Sequence, residues 1–225
     1  MGDGWSIPWK GDDPERLFLA PDDDLAPNRP GEALRARLDA SRAGPGRLLA
    51  SRLLGRRPQE DEWRRGLEGE QFVGSELEEL TAVGWRVVHS IPLPGEADID
   101  HLLIGPGGVF CVQAQLLRRA AVRVGDDGVR VGRERQPRPY LRAARREAAR
   151  AGFALARGCG FEPEVRPVLV LVAAARVEVA SVPRDVRVLR ERDVTRLGEF
   201  GGVLHPERVE RVYTVARNRR TWLNV

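Results

Sequence analysis

The segment "VRPVLVLVAAA", residues 165–175, is apolar at nearly every position and has the length of a strand. Successive side chains of a strand point to opposite faces of its sheet, so a strand with one wet face alternates apolar and polar residues. An unbroken Val/Leu run lacks that alternation and reads as a central strand buried on both faces. A chain built around it has to supply helices for both sides of a sheet.

The flanking sequence supplies them. "PQEDEWRRGLEGEQFVGSELEELTAVG" starts at Pro58 with acids behind it. It repeats Leu67, Phe72, Val73, Leu77 and Leu80 at helical intervals and stops at Gly84. "WRVVHSIPL" and "ADIDHLLIG" read as strands, the second turned by Pro106-Gly107-Gly108 into "VFCVQAQL". "AAVRVGDDGVRVG" is a hairpin around Asp126-Asp127-Gly128. "RPYLRAARREAARAGFALARGCG" is a long basic helix. After 175 come two short strands, "VEVAS" and "VRVLR", and helices near 193–199 and 206–219. This order predicts an α/β fold, a mixed sheet flanked on both faces by the 61–82 and 138–158 helices.

With 225 residues the chain makes one domain plus extensions, and 42% hydrophobic residues suffice for a core. The boundary falls at 57/58. Residues 1–31, rich in Gly, Pro and Asp, read as a mobile arm; "GEALRARLDASRA" reads as a helix and "RLLASRLLGRR" as a short basic amphipathic piece. These N-terminal helices are expected to pack on the domain or to meet a protein partner. No stretch approaches the roughly 20 apolar residues of a membrane span, and the N-terminus lacks the pattern of a secretory signal. Cys111 and Cys159 form neither a metal-type pair nor a disulfide framework, which points to the cytoplasm.

Charge is unevenly spread. Residues 61–125 carry 6 basic and 10 acidic side chains, and residues 126–160 carry 9 basic and 4 acidic ones. An acidic patch beside a basic one suits a metal site facing a phosphate backbone. Asp98 and Asp100 share one strand face, as do Gln113 and Gln115, and the 98–116 hairpin lets the two pairs converge. Glu70 on the preceding helix is placed to reach the same spot. Two carboxylates and an amide oxygen suit a Mg²⁺ that keeps several waters. Such an ion orients a phosphate and lowers the pKa of an attacking water.

Five segments, "GLEGE" (66–70), "ADIDHLLIGPGGVF" (97–110), "QPRPYLRAARREA" (136–148), "VRPVLVLV" (165–172) and "RNRRTW" (217–222), together resemble the nuclease-related domain family, NERD, of the PD-(D/E)xK nuclease-like superfamily. The resemblance spans about residues 58–222. It implies a restriction-endonuclease-like core and a role in DNA processing. Glu70 then matches the family's helix acid and Asp100 its metal-binding aspartate. Gln113 stands where the family has an acid or a polar residue, and Gln115 where it typically has lysine. Glu70, Asp100 and Gln113 are the implied metal ligands, and Mg²⁺ the implied cofactor.

The two glutamines remove a negative charge from the ion's shell and the cation expected beside the phosphate. Loss of one preorganised contact of that kind commonly costs about 3–4 kcal/mol, or 10²–10³ in rate. The chain has a single lysine, Lys10, on the predicted arm. Arg118 and Arg119 lie close in sequence, but arginine does not deprotonate and cannot act as a base. The expectation is a degenerate metal-nuclease site that binds nucleic acid, DNA before RNA, with little or no cleavage. The alternatives are an active Mg²⁺-dependent nuclease with an atypical site and a non-enzymatic interaction domain. Arg142, Arg145, Arg146 and Arg150 are expected to form one basic helix face for phosphates. His101, opposite Asp100 by alternation, is expected to be a core histidine bonded to backbone; His89 and His205 are given no role.

Overall fold

The computed structural model describes residues 19–42, 58–95, 98–126 and 128–225. Lys10 and the basic piece at 47–57 lie outside these residues, as does most of the predicted arm.

The described residues form an α/β fold consistent with a restriction-endonuclease-like core. A five-stranded mixed sheet has the order β1 (Arg86–Pro92), β2 (Asp98–Gly105), β3 (Gly108–Leu116), β6 (Val165–Val172), β8 (Arg187–Arg190). β1, β2 and β3 are antiparallel neighbours, while β3, β6 and β8 run parallel. A second sheet of β4 (Ala121–Gly125), β5 (Gly128–Val131) and β7 (Arg176–Val179) has β4 in the middle. The helices are α1 (Glu32–Arg42), α2 (Pro58–Glu79), α3 (Tyr140–Cys159) and α4 (Pro206–Ala216).

β6 has the cover that its composition requires. Val168, Val170 and Val172 join Val73, Leu77 and Leu80 of the α2 side in one core cluster, and Leu169 and Leu171 join Leu141 and Ala144 of α3 in another. Where β6 ends, β3 and β2 continue the α3 side with Leu102, Ile104, Val109 and Cys111, packed with Ala148, Ala151 and Leu155. At about 25 cal/mol per Å² of apolar surface removed from water, these clusters supply most of the drive to fold.

Two expectations need revision. Part of the predicted arm, residues 21–31, is docked on the domain. Leu25 is buried in the same cluster as Trp222, its N–H donates to Arg217 O at 2.7 Å, and Asp24 pairs with the Arg217 guanidinium. α1 continues this strap, burying Leu34 and Leu38 against α2 and β1. Composition hid this because a few well-spaced leucines and one ion pair are enough to hold a short segment. Phe72, placed in the apolar repeat of α2, is instead 41% exposed, while Val73 beside it is fully buried. One residue is 100° of helix, so Val73, Leu77 and Leu80 face the sheet and Phe72 turns away.

β1 is bent at Ser90, whose φ of 47° lies in the left-handed region. The bend is held from outside: Ser90 Oγ accepts from Glu32 N at 3.0 Å and donates to Arg29 O at 3.2 Å, and Asn28 Nδ2 donates to the carbonyls of His89 and Ser90. The strained turn of the strand is therefore the anchor for the strap.

Candidate functional site

The antiparallel register that sets His101 opposite Val112 sets Asp100 opposite Gln113. Alternation then turns Asp98, Asp100, Gln113 and Gln115 to the α3 side, the side of Leu102 and Cys111. Asp100 Oδ2 accepts from the backbone N–H of Ala114 at 2.8 Å, which fixes the carboxylate between the two strands. Glu70 comes from α2, on the other side of the sheet. It lines the same cleft, and Gly69 before it lies against the end of β3, where a Cβ would be in ordinary contact with Leu116. Gly66 makes room for Leu34 of α1.

A cleft of about 650 Å³ opens at this point, and Glu70, Asp98, Asp100, Gln113 and Gln115 all line it. A further carboxylate lines it too, Glu147 of α3. Gln113 Nε2 donates to Glu147 Oε1 at 3.1 Å. Asp98 pairs with Arg37 of α1 at 3.1 Å, so the strap supplies a cation to the cleft.

The cleft is short of hydrogen-bond donors. Glu70 Oε2, Asp98 Oδ2, Glu147 Oε2 and Gln113 Oε1 are all buried without a partner. The carboxyls respond as buried acids do. Burial, then the charges of Asp100 and Asp98, push Glu70 up to about 10, against the opposing effects of Arg37 and a backbone hydrogen bond from Gly31. Burial, then Asp100, push Glu147 up to about 8. Burial raises Asp100 to about 7, opposed by the Ala114 hydrogen bond. Asp98 is raised by burial and lowered by Arg37. Three acids are therefore held partly or wholly protonated near neutrality in the absence of a positive ion.

Hard oxygen donors of this kind fit Mg²⁺ or Mn²⁺. Among the described residues no three Asp, Glu, His or Cys side chains are grouped as a ready-made cage.

The basic helix is divided. Arg142 and Arg146 are exposed. Arg145 makes a bidentate pair with Asp185, at 2.6 and 2.9 Å, and Arg150 donates to the carbonyls of Val225 and Pro94. The expected single basic face is thus reduced to two arginines, because the other two are used to tie α3 to neighbouring loops. Arg118 lines the cleft but pairs with Glu68. His101 is buried on the α2 side, and its partner is not backbone but the ring of His89, Nδ1 to Nδ1 at 2.8 Å.

Sequence reasoning missed Glu147, Arg37 and the histidine pair. Glu147 left a signal: it is the sole acid of α3 and falls on the stripe of Ala144, Ala148 and Ala151, all buried. Residues 65–172 match the family model described as the nuclease-related domain. This segment belongs to the nuclease-related domain family, NERD. The nuclease-related domain contains Glu70, Asp98, Asp100, Gln113, Gln115 and Glu147, whereas Arg37 lies before it. No curated protein and no solved structure matches the chain. Among the described residues no helix is long and apolar enough to cross a membrane.

Proposed function

We propose that the chain is a nucleic-acid-binding protein whose nuclease-related site has degenerated, so that it grips DNA in preference to RNA and cleaves it slowly or not at all. The observation that carries this reading is the end of β3. Gln113 and Gln115 line the acidic cleft at the positions where an acid and a lysine are expected, and the nearby Arg118 is engaged by Glu68.

Asp100, Glu70 and Gln113 would hold a Mg²⁺, and the partnerless buried oxygens of Glu70 and Gln113 favour that role. When bound, the ion supplies positive charge to a phosphate and acidity to a water. Asp100 is kept in place by Ala114 N–H, and Gln113 by Glu147. Gln115 has no charge to offer a phosphate and no proton to exchange with a water. Arg142 and Arg146 are the exposed cations of α3 that would neutralise the backbone. The two buried free cysteines suit a reducing compartment such as the cytoplasm.

A gel assay with labelled DNA and RNA, with Mg²⁺ or Mn²⁺ and at stepped salt, tests the reading. Salt-sensitive binding to DNA is expected, with cleavage absent or slow. Rapid metal-dependent cleavage lost in Asp100→Ala would replace it with an active nuclease. No affinity for either nucleic acid would leave an interaction domain.

A further inference from the structure

We propose that the cleft takes a single strand of DNA rather than a duplex, with a base stacked on Trp63 and Tyr140 and the adjoining phosphate met by Arg65. The inference rests on the reading of the chain as a nucleic-acid-binding protein, and it names the form of nucleic acid that the site fits.

The two helices that flank the sheet bring the same pair of residue types to the cleft. Trp63 stands seven residues before Glu70 on α2, and Tyr140 seven before Glu147 on α3. Seven residues are two helical turns, so each aromatic shares a face with its acid and lies roughly 10 Å from it along the axis. All four side chains line the cleft. The two aromatic ends also meet. Burial raises the Tyr140 hydroxyl, Arg138 lowers it, Glu134 and Glu62 raise it and Arg65 lowers it. Glu62 and Arg65 bracket Trp63 on α2, so that stretch of α2 lies beside Tyr140. The cleft therefore has an acidic end and an aromatic end.

Trp63 has no place in the core to explain it. It is half-buried, yet among the described residues it belongs to none of the three core clusters. Tyr140 packs on the edge of the cluster under β4 and β5, which fixes its ring. Aromatic faces in a cleft are platforms for bases, and any base can stack on them once it is unpaired. The cations are beside them. Arg65 is exposed and lines the cleft, and among the described residues its side chain makes no hydrogen bond or ion pair. Arg118 commits Nη2 to Glu68, and Arg138 commits Nε and Nη2 to Glu134. A guanidinium has five N–H donors, so each keeps others for a phosphate. The volume of about 650 Å³ is that of a small-molecule pocket. A nucleotide enters such a space, whereas a duplex keeps the faces of its bases inside its own stack.

The test is fluorescence anisotropy with the full chain and three labelled probes: a single-stranded DNA oligonucleotide, its duplex, and the same strand with abasic sites in place of its bases. The intact strand should bind at least about tenfold more tightly than either of the others. Trp63→Ala should lose a similar factor with the salt dependence unchanged, because stacking releases no counterions, and Trp63→Phe should recover most of it. Arg65→Gln should instead lower the slope of log K against log salt by roughly 0.7. Should Trp63→Ala fold poorly by circular dichroism, the abasic strand still decides, since it asks the same question of wild type. Wild-type affinity in Trp63→Ala, equal binding of intact and abasic strands, or a preference for the duplex would overturn the stacking site and leave nucleic-acid binding standing. No affinity for any probe would overturn the nucleic-acid reading together with it.

Discussion

Asp100 and His101 are neighbours on β2 and turn to opposite faces of the same sheet, and the two faces treat buried polar atoms differently. On the α2 side, His101 and His89 bond to each other, and His89 Nε2 lies 3.4 Å from Glu78 Oε1. If the shared proton sits on His101 Nδ1, then His89 carries its own on Nε2, toward Glu78. Neither that nitrogen nor His101 Nε2 makes a hydrogen bond. Both rings stay neutral: burial lowers His89 to about 4 and pushes His101 well down. On the α3 side, four oxygens of Glu70, Asp98, Gln113 and Glu147 have no partner, and a cleft of about 650 Å³ gives them access to solvent. The first region is a neutral pair sealed within the core. The second leaves buried acceptors beside an open cleft.

Substitutions on the two faces should therefore differ in sign. His101→Leu removes the partner of His89 and leaves a buried polar atom. It should cost about 2–4 kcal/mol, or roughly 5–15 °C in thermal midpoint for a chain of this size. Asp100→Asn keeps an acceptor for Ala114 N–H and removes a charge from the acid cluster. In metal-free buffer its midpoint should equal or exceed that of wild type by about 2–4 °C. Equal destabilisation by both changes, seen in a thermal melt, would erase the distinction.

The pH dependence of stability should divide in the same way. Asp100 and Glu147 have folded-state values of about 7 and about 8, above the ordinary 3.8 and 4.5. The folded protein then holds protons that the unfolded chain has released. Their contribution is complete below the ordinary values and is lost as pH rises through about 7 and 8. His89 is displaced the other way, from 6.5 to about 4, so its contribution is present above 6.5 and lost as pH falls toward 4. Thermal midpoints in chelator should fall between about pH 6.5, above which His89 no longer opposes the carboxyls, and about pH 8. Glu147→Gln should flatten that fall and leave the acid limb unchanged.

The smallest effect on stability belongs to the exposed arginines. Arg142→Glu with Arg146→Glu should change stability by no more than about 0.5 kcal/mol. It should weaken nucleic-acid binding and flatten its dependence on salt. Reversing Arg145 should instead destabilise, because Asp185 loses its bidentate partner.

What was legible in the sequence follows the periodicity. The Val/Leu run of β6, the repeat of Val73, Leu77 and Leu80 and the glycine turn of the β2–β3 hairpin each name an element, and each is present. Alternation placed Asp100 with Gln113 and turned His101 away. Contacts between elements distant in the chain left only weak marks. Arg37 meets Asp98 across 61 residues, and Glu147 meets Gln113 across 34, and neither pairing has a periodic signature. The docked strap at 21–31 was invisible for the same reason: its hold on the domain is Leu25, Asp24 and the bend at Ser90, not a repeated apolar pattern.

The most direct measurement is the thermal midpoint of the full chain at about pH 8, with and without Mn²⁺, for wild type and Asp100→Asn. An ion that binds only the folded state adds about 2.7 kcal/mol at a hundredfold excess over its Kd, several degrees in a chain of this size. If the orphaned oxygens of the cleft are ligands in waiting, wild type should rise by that amount and Asp100→Asn should not move. A wild-type midpoint indifferent to Mn²⁺ would contradict this, and would make the α3 side of the sheet as closed to ligands as the histidine side.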